Sequence, residues 1–406
     1  MIKCVVVVPT FNFHLVNQMI NQSYVSICAI VTNDRIVAAE LGLPKKMTYA
    51  VWQFREAVQS TQPDFVFLLT SPANMSFDFF KDEARAINFP ARKIIPATYI
   101  SVYQDIFDLG KRFETFEKSP DKYRIFATGL SYTMFGIRPE YFDLPLINFA
   151  FGGQDLYYDY QIAKRLLNEL PPPYRHTDIF KIDVTVSEEN LKSRGKNSSV
   201  SFKYALLGLG PYSLHCDMSR AISTNYIFRY FYALHDMHNF PLSYDELTKI
   251  YQPRFLQQID EDFKKYSDNH KESLKMFEQT ISFDFALKAR KIIDHWNDHQ
   301  YPATVEENKK ILDDYLTLLE KCNIQPILLL PPMVKDYEEN FSREKIDELF
   351  AYLNELYRRH DFVFVNSWAM TDFDEHDFWD IDHLNLRGAK KFSAKLNEII
   401  MKLERQ

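Results

Sequence analysis

The sequence predicts an α/β protein built from two parallel-sheet domains, the second interrupted by a mostly helical insertion. Three observations carry that expectation. Short, nearly continuous apolar runs, such as residues 3–8 and 326–330, have the composition of strands buried on both faces. Helix-length amphipathic segments separate these runs, and strand-helix-strand alternation implies parallel strands joined by right-handed crossovers. At 406 residues the chain exceeds one typical domain, so two cores are expected.

The first series has strands at 3–8, 26–31, 64–70 and 93–96, with helices over 13–22, 48–61 and 77–88. It makes a domain over residues 1–105 that is Rossmann-like in its alternation. Its first turn, Pro9-Thr10-Phe11-Asn12-Phe13, contains no glycine, so the dinucleotide fingerprint is missing and a scaffolding role is expected. A connecting helix begins near residue 104 and passes into a charged linker, 106–120.

The second domain spans residues 121–404. Strands are expected at 123–128, 146–150 and 202–209, with a helix over 156–170 that ends at Pro171-Pro172-Pro173. From about 219 to 300 strand-like runs vanish and the spacing becomes helical, as in Tyr226-Ile227-Phe228-Arg229-Tyr230-Phe231-Tyr232. This insertion is expected to cover a site or shape an acceptor groove. The alternation resumes with a helix over 305–322, the strand 326–330, a helix over 343–359 and the strand 362–366. A closing helix starts at about Leu386, with Asn385 as its N-cap and Leu386, Ala389, Phe392, Leu396, Ile399, Ile400 and Leu403 on one stripe.

Composition excludes several classes. A net charge of −7 with scattered Lys and Arg gives no electrostatic footprint for nucleic acid. The opening apolar run is too short for the core of a signal peptide, and no stretch is long enough to span a bilayer, so a cytoplasmic protein is expected. Cys4, Cys28, Cys216 and Cys322 are far apart and read as reduced thiols.

Chemistry concentrates near the end of the chain, in Trp379-Asp380-Ile381-Asp382-His383-Leu384-Asn385. An Asp and a His three residues apart can lie side by side on a turn, the carboxylate holding one ring nitrogen while the other meets a substrate. Such a base requires a nucleophile. Ser131 follows the strand 123–128, and Gly152-Gly153 follow the strand 146–150, so both fall at carboxyl ends of strands, where open parallel sheets collect their functional groups. A glycine there lets a backbone N–H approach a developing oxyanion.

Gly129-Leu130-Ser131, Gly152-Gly153 and Asp380-Ile381-Asp382-His383 resemble blocks one, two and five of the SGNH (GDSL-like) hydrolase superfamily. The wider wording, Thr128 to Tyr132, Gln154 to Tyr158 and Asp382 to Ala389, is similar to SGNH-like proteins of bacterial cell-surface polysaccharide modification. The resemblance covers residues ~120–404 and implies a flavodoxin-like α/β/α domain. It implies Ser131 as nucleophile, His383 as base and Asp380 as its partner. The oxyanion hole would use the N–H groups of Ser131 and of Gly152 or Gly153, with Gln154 or Tyr212 as substitutes for the usual Asn. Two departures stand out: Leu130 occupies the position of the motif's Asp, and Gly208-Leu209-Gly210-Pro211-Tyr212-Ser213 stands where Gly-x-Asn-Asp would fall.

The expected activity is therefore acyl transfer, with acetyl-CoA as the candidate donor, no bound cofactor, and a glycan or glycan precursor as acceptor. An esterase or deacetylase of the same fold and a non-catalytic glycan-binding or assembly protein are the alternatives. A metal-dependent phosphoesterase is third, since Asp372, Asp374, Glu375, His376 and Asp377 precede Asp380, Asp382 and His383; a solvated acidic loop, with no metal, is the expectation. His295 and His299 lack the Glu of a zinc-protease motif and read as a packed or solvated pair. His215-Cys216-Asp217 are adjacent, so their side chains point apart. The aromatic cluster 226–232 is expected to be packing rather than a sugar platform.

Overall fold

In a computed structural model, residues 1–8, 19–33, 47–68, 77–96, 103–169, 201–219, 227–266, 293–294, 302–368 and 372–406 are described. The chain is α/β with two five-stranded sheets, every strand pair parallel. It divides into two compact units. Met1–Gly110, Pro173–Val186 and Ser219–Ser267 form the first; Lys111–Pro172, Ser187–Met218 and Asp268–Gln406 form the second.

In the first unit, β1 (Ile2–Val7), β2 (Val25–Val31), β3 (Thr48–Tyr49), β4 (Phe65–Leu68) and β5 (Ile94–Pro96) lie in the order β3-β2-β1-β4-β5. The apolar runs are buried because helices cover them: Phe54, Ala57 and Val58 of α1 (Phe54–Thr61) and Phe80 and Ala84 of α2 (Phe77–Arg85) pack with Val5, Val7, Val31 and Val66. The expected helix 48–61 is shorter, because Thr48 and Tyr49 pair with Ile30 and Val31 as an edge strand. The first turn, 9–13, and most of the expected helix 13–22 lie outside the described residues.

The boundary between units falls within α3 (Tyr103–Glu117), where a charged linker was expected. The expected insertion is helical over α4 (Ile227–Leu234), α5 (Tyr244–Ile250) and α6 (Pro253–Lys265). It departs from expectation in its allegiance. Although inserted in the sequence of the second domain, Ser219–Ser267 belongs to the compact unit of the first sheet. Backbone N–H groups of Asn21 and Gln252 donate to the carbonyls of Ile250 and Met19, at 2.7 Å each, and Gln252 Nε2 donates to the Ile20 carbonyl. Phe107 meets Tyr232 and Phe263 edge-on at 5.4 and 5.5 Å, so the aromatic run is packing.

In the second unit, β6 (Ile125–Gly129), β7 (Leu146–Asn148), β8 (Tyr204–Gly208), β9 (Gln325–Leu330) and β10 (Val363–Asn366) lie in the order β10-β9-β8-β6-β7. Numbered within this sheet the order is 2-1-3-4-5, which reverses between β6 and β8, the place where open parallel sheets collect functional groups beyond their carboxyl ends. The connecting helices are α7 (Ser131–Gly136), α8 (Leu156–Leu166), α9 (Pro302–Lys321), α10 (Lys335–Asn340), α11 (Arg343–Leu356) and α12 (Leu386–Leu403). Phe392, Leu396 and Ile400 of α12 enter the core against Ile125, Ala127, Leu206, Ile327 and Leu329. None of the four cysteines is in a disulfide, and no described helix is long and apolar enough to cross a membrane.

Candidate active site

The turn that carries Ser131 is shaped by two glycines. Gly129 and Gly208 are paired neighbours at the carboxyl ends of β6 and β8, and Thr133 of α7 lies over both. A Cβ on Gly208 would sit 1.5 Å from Thr133 Oγ1, and one on Gly129 would lie 2.5 Å from the Gly208 carbonyl oxygen. Gly129 also has φ +133°, a backbone region that side chains disfavour. The missing side chains let α7 begin directly above the sheet. Asn148, at the end of β7, fixes it from the other side by donating through Nδ2 to the Thr133 and Ile137 carbonyls.

The partner turn is built as a short hairpin. Phe378 and Leu384 form an antiparallel bridge, and the Trp379 N–H donates to the His383 carbonyl at 2.9 Å. Asp380 Oδ1 accepts the backbone N–H groups of Asp382 and His383, at 3.1 and 2.7 Å, which closes the loop as an Asx turn. Asn385 caps α12 through the Gly388 N–H and also donates to the His376 and Phe378 carbonyls. A bond from Val334 N–H to the Ile381 carbonyl ties this hairpin to the loop after β9.

These two turns bring remote residues together. His383 Nε2 lies 2.7 Å from Ser131 Oγ, across 252 residues of sequence. His383 Nδ1 lies 3.0 and 2.9 Å from the two carboxylate oxygens of Asp380. Asp382 is a third neighbour, with Oδ1 also 2.9 Å from Nδ1. Its Oδ2 accepts from the Tyr132 hydroxyl at 3.3 Å, and Tyr132 in turn meets the Tyr212 hydroxyl at 2.9 Å. Tyr132, Phe135 and Trp379 surround the imidazole, with ring centroids at 5.3, 5.6 and 6.3 Å.

Electrostatics follow from this enclosure. Burial disfavours the imidazolium, but the charges of Asp382 and Asp380 outweigh it, and the His383 pKa is raised. Burial also pushes Asp382 up, only partly offset by His383. Asp380 is buried too, yet the charge and hydrogen bonds of His383 and Asp382 bring it below the ordinary carboxylate range. A serine hydroxyl, an imidazole and a carboxylate in this hydrogen-bonded line can remove a proton from the hydroxyl as it attacks an electrophile.

The loop after β7 runs beside this turn, with the Phe151 N–H donating to the Gly129 carbonyl at 3.1 Å. Gly153 has φ +70° in a turn closed by the Gln154 N–H on the Phe151 carbonyl. The space where Gly152 would carry a Cβ is open to at least 4 Å. Among the described residues, the Ser131 and Gly153 N–H groups have no hydrogen-bond partner. Gln154 departs from its expected place in an oxyanion hole: it is fully buried, and Nε2 donates to the Phe149 carbonyl and to Asp159 Oδ1 at 3.1 and 2.6 Å. Both its side-chain hydrogens are spent inside the fold.

Three acids of the run before the hairpin are paired with basic residues of α12. Asp377 is fully buried and pairs with Arg387 and Lys391, at 3.1 and 2.9 Å, while Asp374 pairs with Arg387 and Asp372 with Lys395. These basic residues recur every fourth position along α12. Asp380, Asp382 and His383 offer donor atoms within 4.8 Å of one another, and the ring nitrogen and carboxylate oxygens stand at hydrogen-bonding distances of 2.9–3.0 Å. His215 pairs with Glu348 at 2.8 Å, and Cys216 is buried with its thiol pKa pushed up by that burial. His295 and His299 lie outside the described residues. No protein-family model matches the sequence, and no curated protein matches it.

Proposed function

We propose that the protein is a serine-dependent acyltransferase of the SGNH type that moves an acyl group, acetyl in the first instance, onto a hydroxyl of a glycan or glycan precursor. The observation that carries this reading is the line from Ser131 Oγ through His383 to Asp380, with links of 2.7 and 2.9 Å. Sheet order, with Ser131 placed where the order reverses, agrees with a flavodoxin-like domain of that superfamily. The glycan acceptor and acetyl-CoA as donor come from the resemblance of the three motifs.

In the first step Ser131 Oγ attacks the acyl carbonyl carbon while His383 Nε2 takes the hydroxyl proton. The N–H groups of Ser131 and Gly153 are the candidates to meet the negative charge on the carbonyl oxygen. Collapse of the tetrahedral species expels the donor thiolate, which receives the proton from the imidazolium and leaves as a thiol. A sugar hydroxyl then attacks the acyl-serine, again giving its proton to His383. That proton returns to Ser131 as the ester leaves.

Incubation with acetyl-CoA, and separately with an aryl acetate, followed by intact-mass spectrometry tests the reading. An acetyl adduct on the native chain that is absent in Ser131→Ala is expected. An adduct that persists in Ser131→Ala, or none from either donor, overturns the serine mechanism. Adding a sugar acceptor separates transfer from hydrolysis, because only transfer yields acetylated sugar.

A further inference from the structure

His383 faces more carboxylate than a single ring proton can serve. Nδ1 carries at most one hydrogen, yet three carboxylate oxygens from two residues lie within 3.0 Å of it. The two acids are not equivalent. Asp380 receives the backbone N–H groups of Asp382 and His383 in addition to the ring, a donor set that suits an ionised carboxylate. Apart from the ring, Asp382 is served by the Tyr132 hydroxyl, at 3.3 Å, and its side chain is 4% exposed. Donor atoms of the two acids and the ring lie within 4.8 Å of one another, so a proton on Asp382 would stand beside the Asp380 carboxylate.

Resting on the acyl-transfer reading, we propose that Asp382 is a positioning residue held as a neutral carboxylic acid that shares one negative charge with Asp380 and leaves His383 neutral with Nε2 ready to accept the Ser131 proton. The alternative distribution, with both acids ionised and His383 protonated, contains the same number of protons. It would leave no lone pair on Nε2 and hence no base. Among the described residues, the titratable groups that face Asp382 are Asp380, His383, Tyr132, Tyr212 and Tyr337, and of these only the ring can bring a positive charge. A carboxyl group in such surroundings retains its proton. The raised basicity of the ring belongs to a histidine beside two charges; with Asp382 neutral it faces one.

Two measurements test the proposal. Nitrogen NMR of the histidine-labelled full chain at neutral pH, assigned by His383→Gln, is expected to show His383 as the neutral Nδ1–H tautomer, and infrared difference spectra against Asp382→Asn a protonated carboxyl band. An imidazolium signal and no such band would overturn it. The second is the pH profile of Ser131 acylation. Asp382→Asn, which mimics the neutral acid, is expected to leave the acid limb within about half a unit of the wild-type position. A fall by more than about one unit would mean that Asp382 is ionised in the native chain and would also overturn it. Asp380→Asn, by contrast, is expected to lose acylation on the order of a thousandfold or more. The NMR reading does not require catalysis. A neutral His383 with a protonated Asp382 but no acyl adduct would refute acyl transfer and leave the shared charge standing.

Discussion

At the scale of single residues, burial decides which acids can work and which serve the fold. Asp155 caps α8 through the Tyr158 N–H and holds the Met218 N–H at 2.7 Å, so it joins the loops after β7 and β8. Its burial, only partly offset by those two N–H groups, raises its pKa from 3.8 to about 7. A carboxyl with a raised folded pKa binds its proton more tightly in the folded state. Its contribution to stability is therefore largest below the unfolded value and declines as pH rises towards the folded one. The loss between pH 3.8 and about 7 is expected to be on the order of 4 kcal/mol. Asp155→Asn cannot titrate, so denaturant unfolding at pH 4 and pH 7 should show a smaller pH dependence than the native chain. Equal slopes in the two proteins would show that Asp155 titrates normally.

At the scale of elements, the strand-to-helix turn before Ser131 depends on space as much as on hydrogen bonds. Gly208→Ala would force its Cβ into Thr133, whose Cβ and Oγ1 both lie within 2.7 Å of it, so α7 must shift. We expect a loss of about 3 kcal/mol in chemical denaturation, together with a weaker Ser131 adduct. A variant as stable as the native chain would mean that α7 moves at little cost. Gly388 plays the matching role in α12, because a Cβ there would meet the Asp377 carbonyl oxygen at 2.1 Å. Both turns bearing Ser131 and His383 thus rely on glycines whose packing duty is not written in the sequence around them. Their signal was weak: each is a lone glycine at the end of an apolar run or near the start of a helix, where many glycines have no such duty.

At the scale of the whole molecule, the two compact units are interleaved in sequence. The chain builds the first sheet, then three strands of the second, and returns at Ser219–Ser267 to the first unit before completing the second. Removal of residues 1–102 would take away the packing partners of that returning segment, including Met19, Ile20 and Asn21. Phe228, Phe231, Tyr251 and Phe263 are buried in it. The shortened chain is expected to be less soluble, or to bind an apolar dye more strongly, than the full chain. A monodisperse, folded product would show that 227–266 folds without the first sheet.

Local pattern is enough to identify most elements, because burial on both faces writes an apolar run into each parallel strand and amphipathic spacing into each covering helix. By itself the sequence determined the two β/α series, the N-cap at Asn385, and the separate candidacies of Ser131, His383 and Asp380. Only tertiary structure decided that Ser131 and His383, 252 residues apart, share a hydrogen bond, that Asp382 and Tyr132 join them, and that Gln154 faces inward. It alone assigned Ser219–Ser267 to the first sheet's unit. The physical reason is the range of the forces involved. Strand and helix preferences act between residues a few positions apart, whereas partners in a buried polar network are chosen by the packing of segments that sequence spacing does not relate.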